Sequence, residues 1–227
     1  MYIHEIYQWV FIFFIYSFFG WIWETSYKSI QQRKFINRGF LNGPWLPIYG
    51  FGALIILFVT LPYQENHVLV FLLGAIFASI FEFIVGYGME KLFHARYWDY
   101  SHLPLNIKGY IALPISLVWG LFSLILVNII DVPISRFVAQ FTAPQLIVLD
   151  IILAVLFVID VVLSTIQALD LKTILKKIEL PIENQTKILT KAEKILKRNP
   201  NLLSHRHQLS EIEIKNILKE LKEQMKN

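Results

Sequence analysis

Five long apolar runs place the strongest limit on how this chain of 227 residues can fold. They cover about residues 6–27, 46–61, 68–93, 109–130 and 145–169. A helix of roughly 20 apolar residues crosses the hydrocarbon core of a bilayer. The chain is 56% hydrophobic and only 17% charged, so it has more apolar and fewer charged residues than a typical soluble domain. The sequence therefore predicts an all-α membrane protein with five transmembrane helices.

The basic residues predict how these helices are oriented. Of 21 lysines and arginines, 13 lie in residues 171–227 and four lie between residues 28 and 38. Three more, Lys91, Arg96 and Lys108, lie around the connector between the third and fourth runs, which leaves only Arg136. Because cytoplasmic loops carry the excess of Lys and Arg, we expect the N-terminus outside and the C-terminus in the cytosol. The expected location is the bacterial cytoplasmic membrane, crossed several times.

The stretch from Asn37 to Gly52 contains four glycines and two prolines and opens straight into the second apolar run. A hydrophobic helix entered through glycine and proline cannot keep a continuous ladder of backbone hydrogen bonds there. Irregular backbone at membrane depth is tolerated only where protein or a water-lined cavity satisfies its polar groups. We therefore expect this stretch to form the inner mouth of a site.

Residues 171–227 differ from the transmembrane domain of residues 1–170. They contain 13 basic and 7 acidic residues, with apolar positions at helical spacing. We expect a cytosolic, basic, amphipathic helical hairpin. A solvated tail, a helix pair that binds a partner, and a surface for anionic lipid headgroups all fit this pattern.

Several classes of chemistry are excluded. The chain has no cysteine, which removes disulfides, cysteine–zinc sites and thiol nucleophiles. It also lacks the P-loop, H-E-x-x-H and G-x-S-x-G motifs. Membrane topology explains the pI of about 9.1, because the basic residues lie beside apolar runs. We therefore expect the lipid bilayer as a partner, and no nucleic acid, cofactor or metal.

Acidic residues also lie within the predicted spans. Glu82 belongs to a series spaced four residues apart on the third run: Gly74, Ala78, Glu82, Gly86 and Glu90. The small members of such a series let a neighbouring helix come close. Asp160 lies inside the fifth run, whereas we expect Asp150, nearer its outer edge, to reach water. Because charged groups at membrane depth are costly, we predict that Glu82 and Asp160 belong to an ion site or a substrate path. A protonated Glu82 bonded across a helix seam is the structural alternative.

Glu24 and Glu90 lie near the inner ends of the first and third runs, close to arginine and lysine, and we expect them to form structural ion pairs. They also begin a weak internal repeat, in which each acid is followed by Leu-Asn and then by Leu-Pro-Ile. Parallel repeats with proline-interrupted helices at matching places build transporter cores. The offsets between the two copies do not match throughout, so chance is the alternative.

Several motifs together resemble one family. Gly20-Trp21 with Glu24, the block from Asn37 to Gly50, and Trp98-Asp99-Tyr100 are similar to the CmpB family of bacterial membrane proteins, described as type IV ABC-transporter permeases. The resemblance covers about residues 10–130. The positions carried over are Asn37, Arg38, Gly39, Gly43, Pro44, Pro47, Gly50, Trp98, Asp99, Tyr100 and Asn106. Both motifs fall in predicted cytosolic connectors, so we expect them to form an inner gate or a coupling surface.

The resemblance implies the membrane-spanning subunit of a transporter that works with a separate ATPase. We also expect a homo-oligomer, because five helices make a small pore. One alternative is an intramembrane enzyme acting on a lipid or polyprenyl substrate, with Asp99 and His94 or His102 as the acid–base residues. Another is a non-catalytic scaffold whose basic tail recruits a partner.

Overall fold

A computed structural model describes residues 5–93, 96 and 98–177 of the chain. Its α-helices are α1 (Ile6–Gln32), α2 (Pro47–Thr60), α3 (His67–Phe93), α4 (Leu113–Ile125), α5 (Asp131–Val138) and α6 (Ala143–Lys177). A 3-10 turn, Leu61–Tyr63, extends α2, and a π-helical segment, Leu126–Ile130, joins α4 to α5. His94 lies outside the described residues, as do residues 178–227, where most of the expected C-terminal hairpin falls.

Four helical stretches in the described residues are long and apolar enough to cross a membrane. They are Ile6–Gln32, His67–Leu92, Leu113–Val138 and Ala143–Gln167. Pro47–Tyr63 is apolar as well but shorter. The expected class, a mostly helical membrane protein, is therefore confirmed.

The helices pack as two consecutive pairs. α1 packs on α2 and α3 packs on α4, while α2 also contacts α3 and α6 contacts α1. The core between them contains fully buried aliphatic side chains such as Ile12, Leu57 and Val70. The helix faces that point away from this core are also apolar: Phe58 is 73% exposed and Ile84 is 60% exposed. Lipid covers such side chains in a bilayer, whereas in water they would form an aggregation-prone patch.

Connector 1 (residues 33–46) folds back along the C-terminal half of α1. The Ile36 N–H donates to Ser29 Oγ (3.0 Å), and the Leu46 N–H donates to the Ser17 carbonyl (2.9 Å). From Ser29 to Ser17, α1 rises by about 18 Å. Connector 1 therefore returns along α1 before the next helix begins, and we call it re-entrant in this sense. As a result, α2 starts beside the middle of α1. This geometry explains why α2 is short.

Connector 2 (residues 94–112) contains a small antiparallel hairpin of β1 (Asn106–Ile107) and β2 (Ile111–Ala112). Lys108 and Gly109 in its turn both have positive φ, 52° and 73°, the type I′ geometry that suits strand twist. This hairpin corrects the all-α expectation. It also moves the start of the fourth long helix from Gly109, where the apolar run begins, to Leu113.

α4 continues beyond residue 130, where the fourth apolar run was expected to end. It passes through the π-helical segment into α5. Asp131, expected in a loop, is only 4% exposed, and its carboxylate accepts hydrogen bonds from the hydroxyls of Tyr16 (2.9 Å) and Ser135 (2.8 Å). The bond to Tyr16 joins α5 to α1, a pairing that no local sequence pattern could reveal.

Candidate functional site

Asp160 of α6 holds the central part of connector 1. Its Oδ1 accepts a hydrogen bond from the Asn42 backbone N–H (3.1 Å), and its Oδ2 accepts one from the Gly43 N–H (2.8 Å). The Asn42 side-chain amide (3.3 Å) and the Ser164 hydroxyl (3.2 Å) also donate to Oδ1. Asp160 is 8% exposed. A Cβ at position 43 would lie 2.9 Å from Asp160 Oδ2, so glycine permits this approach. The carboxylate thus supplies the acceptors that irregular backbone at membrane depth needs.

Glu24, in the last third of α1, is the centre of a first polar cluster, the Glu24 cluster. The Tyr49 hydroxyl donates to Glu24 Oε1 (2.8 Å), and Arg38 Nε lies 3.6 Å from Glu24 Oε2. The side chains of Glu24 and Arg38 are 28% and 23% exposed. Because its members come from α1, connector 1 and α2, the cluster fastens the connector to both helices of the first pair.

Glu90, near the end of α3, is the centre of a second cluster, the Glu90 cluster. Arg96 Nη2 and Nε lie 2.7 and 2.9 Å from Glu90 Oε2, and the Tyr110 hydroxyl donates to the same oxygen (2.9 Å). The Arg96 guanidinium also lies over the Tyr110 ring, 4.9 Å from its centroid. This cluster fastens connector 2 to the end of α3.

The two clusters repeat one arrangement. Gly20 and Gly86 each lie one helical turn before the cluster acid, and residues four apart share a helix face. A Cβ on Gly20 would overlap the Tyr49 ring, and a Cβ on Gly86 would lie 3.1 Å from Tyr110 Cδ1. In both pairs, therefore, a glycine receives the tyrosine ring while the acid binds its hydroxyl and an arginine of the connector. Tyr49 follows its Leu-Pro-Ile whereas Tyr110 precedes its copy, so the two tyrosines are not matching positions of the internal repeat, which stays a prediction.

Glu82 lies on α3, two turns before Glu90, and is 6% exposed. Its Oε1 accepts a hydrogen bond from the Tyr100 hydroxyl of connector 2 (3.1 Å), and its Oε2 accepts one from Trp119 Nε1 of α4 (3.0 Å). Both donors are neutral, and none of the ion pairs among the described residues includes Glu82. A carboxyl group held in this way can take up a proton or contact a cation or a polar ligand.

Tyr100 of connector 2 binds Glu82 and also lies within the electrostatic influence of Glu24. Burial raises the pKa of the Tyr100 hydroxyl, and the nearby Glu82 carboxylate and then the charge of Glu24 raise this pKa further. The hydroxyl therefore stays a hydrogen-bond donor at physiological pH. No group of three or more His, Cys, Asp or Glu residues in the described part of the chain is arranged to hold a metal.

A family model described as "Putative ABC-transporter type IV" matches residues 11–165. The match spans more than half of the chain and includes both connectors, both clusters, Glu82 and Asp160. This chain belongs to that family, the CmpB family. The match also continues through much of α6, beyond residue 130, where the resemblance noted in the sequence ended. Searches among curated proteins and among solved structures gave no match.

The family-motif residues of connector 1 shape its path in this CmpB-family protein. Asn37 accepts a hydrogen bond from the Trp21 indole and donates one to the Asn42 carbonyl (2.9 Å). Gly39 has φ 100°, a conformation that strains any other residue. Pro44 follows Gly43 within the connector. The same family block continues into α2 with Pro47, its first residue, and Gly50, which packs against Ser17 and Phe13.

The motif residues of connector 2 fix its loop. Trp98 Nε1 donates to the Tyr110 carbonyl (2.9 Å). Asn106 donates to the Leu103 carbonyl (2.8 Å) and accepts from the Gly109 N–H (3.2 Å).

Asp99, the acid of the enzyme alternative, also belongs to this loop. It accepts a hydrogen bond from the Ser101 N–H (2.9 Å) and lies 3.4 Å from Arg96 Nη1. His102 is exposed, and no hydrogen bond among the described residues joins it to Asp99. His94, the other candidate, lies outside the described residues, so the acid–base alternative stays a prediction.

Sequence reasoning missed three donors of the site, Tyr49, Tyr110 and Trp119. Tyrosine and tryptophan carry a polar atom on an apolar ring, and this atom usually finds a partner when it is buried. Such residues in or beside an apolar run are therefore a signal for a nearby acid. The signal does not say which acid, because Trp119 and Glu82 are 37 positions apart.

Proposed function

We propose that this chain is the membrane-spanning subunit of a transporter in the bacterial cytoplasmic membrane, and that a separate ATPase drives it. In this proposal five spans cross the membrane, with the N-terminus outside and the C-terminus in the cytosol. α2 and the re-entrant connector 1 together form the second span. Membership of the CmpB family supports the transporter class, and the distribution of lysine and arginine supports the orientation.

One observation carries the proposal beyond the family: each connector folds back along a helix, connector 1 to Ser17 of α1 and connector 2 to Glu82 of α3. Each is fastened by a half-buried acid, an arginine and a tyrosine. A partly exposed ion pair contributes only about 0–1 kcal/mol, so such a fastening can open and close. Connectors 1 and 2 therefore form the inner gate, and an ATPase bound in the cytosol would move them.

Within this gate we assign different roles to the two intramembrane acids. Among the described residues, the donors to Glu82 are neutral, and one of them belongs to connector 2. Opening connector 2 would therefore free the Glu82 carboxyl group for a substrate or an ion. Asp160 instead accepts two backbone N–H groups of connector 1. We therefore assign Glu82 to the transport path and Asp160 to holding the re-entrant segment within the membrane.

Purification of the tagged chain from its native membrane in mild detergent tests this function. We expect a nucleotide-hydrolysing subunit in stoichiometric amount, and we expect the Glu82→Gln variant to retain this subunit while the ATPase rate of the complex changes. Ser101→Ala, an exposed change in connector 2 that keeps the backbone N–H, is the control and leaves the rate unchanged. A chain that purifies alone or as a homo-oligomer, with no ATPase, would contradict the proposal.

A further inference from the structure

The end of the molecule that carries the connectors exposes cations and shields its acids. Arg33, Lys34, Lys91 and Lys108 are exposed, and Lys28 is half-buried. We call these five residues the cationic rim. The ion pairs among the described residues join Glu24 to Arg38 and join Glu90 and Asp99 to Arg96, and none includes a rim residue. The described rim is therefore a surface of uncompensated positive charge.

Exposed apolar side chains lie between these cations. Ile30 is 78%, Phe35 75% and Leu105 75% exposed. Two rim lysines also lie near a tyrosine of their own helix, Lys28 beside Tyr27 and Lys91 beside Tyr87, each 5.5 Å from the ring centroid. Cations mixed with apolar and aromatic side chains are typical of the boundary between lipid headgroups and acyl chains.

Backbone strain is concentrated at the same place. Among the described residues, Arg33, Leu105 and Lys108 are the non-glycine positions with positive φ, 51°, 51° and 52°. Arg33 caps the C-terminus of α1, where glycine is usual. Lys108 takes the first central position of a type I′ turn, where asparagine, aspartate or glycine is usual. Residues held in such conformations are concentrated at functional sites, and all three present their side chains at the exposed rim.

From these observations we infer that the cationic rim binds the headgroups of anionic phospholipids in the adjoining leaflet. The phosphate and any further acidic group of the headgroup would meet the rim cations, while Phe35 and Leu105 would enter the acyl boundary. Acidic lipids attract each nearby lysine or arginine and are concentrated on the cytoplasmic side of membranes. The surface needs only the membrane location, and it stands whether or not the chain transports a substrate.

Lipid retention by the full chain tests this surface. The purified protein is reconstituted into vesicles of phosphatidylglycerol and phosphatidylcholine in equal parts and extracted again, and the lipids that it keeps are counted by native mass spectrometry. We expect the wild type to keep phosphatidylglycerol several-fold over phosphatidylcholine. Arg33→Gly and Lys108→Gly should each lower this ratio clearly, by up to about fivefold, the most that losing one surface cation gives.

Two comparisons make the result decisive. Glycine suits both backbone conformations, so these variants should unfold in pure phosphatidylcholine at the wild-type temperature or above it. Arg136→Gln removes an exposed cation of α5, away from the connectors, and should leave the ratio unchanged. The inference is overturned if the wild type keeps both lipids equally, if Arg33→Gly and Lys108→Gly keep the preference, or if Arg136→Gln lowers it as much.

Discussion

At the scale of single residues, Asp160 shows how an acid can make irregular backbone stable inside a membrane. Replacing it with alanine would leave the half-buried Gly43 N–H without an acceptor and the Asn42 N–H with only Ser164 Oγ (3.2 Å). We expect Asp160→Ala to lower the free energy of unfolding by on the order of 3 kcal/mol, measured by thermal or denaturant unfolding in detergent. Ser164→Ala removes one hydroxyl and should cost about 1 kcal/mol. Equal stability of Asp160→Ala and the wild type would contradict this anchoring role.

Asp150, unlike Asp160, is expected to lower the stability of the protein. It was expected to reach water, but it is only 7% exposed, and both carboxylate oxygens are buried with no hydrogen-bond partner among the described residues. Leucine has the same branched shape and no polar atom, so Asp150→Leu should raise the free energy of unfolding by about 1–3 kcal/mol. Asp150→Asn keeps both shape and polarity and should bring no comparable gain. A less stable leucine variant would show that the carboxyl group has a stabilising partner.

The sequence pointed to several of these residues but not to their partners. Glu82 and Asp160 were predicted as a pair with one role because each is an acid in an apolar run. The structure gives them different surroundings: Glu82 meets a tyrosine and a tryptophan, and Asp160 meets backbone amides. Which donor reaches which acid depends on how the connectors fold back, and this depends on contacts between segments more than a hundred positions apart.

At the scale of elements, the two clusters should act as separate fastenings. The chain has no cysteine, so one introduced cysteine can report on each connector. Leu41 of connector 1 and Ala112 of β2 are both 1% exposed. We expect Glu24→Gln to speed the labelling of Leu41→Cys by a thiol reagent, and Glu90→Gln to speed that of Ala112→Cys, each by up to about fivefold.

The crossed combinations are the controls for this experiment. Glu24→Gln should leave Ala112→Cys unchanged, and Glu90→Gln should leave Leu41→Cys unchanged. Exchanging the charges, with Glu24→Arg and Arg38→Glu together, should slow the labelling of Leu41→Cys again. If either single change accelerates both reporters equally, the clusters are not local fastenings.

The helices themselves were largely predictable, and their ends were not. α3 agrees with its apolar run to within one residue, because its sequence is predominantly apolar and is bounded by polar residues. α4 begins at Leu113 because the type I′ turn at Lys108 and Gly109 forms a hairpin before it. Lysine is unusual in such a turn, so the sequence indicated this hairpin only weakly. The π-helical segment and α5 likewise follow from packing, since Asp131 is buried against Tyr16.

At the scale of the whole molecule, the open question is whether α2 crosses the membrane. α2 with its 3-10 turn spans about 27 Å, slightly less than the roughly 30 Å of hydrocarbon. The re-entrant connector 1 covers the remaining depth beside α1. The Asp160 carboxylate and the Ser17 backbone carbonyl accept hydrogen bonds from its N–H groups. We therefore expect α2 to cross, which places the loop after it on the side opposite to both connectors.

Single cysteines at exposed positions test this directly. In intact cells, a membrane-impermeant thiol reagent should label Gln64→Cys and Gln140→Cys at once, but should label Gln31→Cys and Ser101→Cys only after the membrane is permeabilised. The reason is the positive-inside rule: the connectors carry the cations, whereas the other loops carry Arg136 alone. Labelling of Gln64→Cys together with Gln31→Cys, only after permeabilisation, would mean that α2 enters and leaves on one side. Connector 1 would then be part of a re-entrant helical hairpin, and the chain would have four spans.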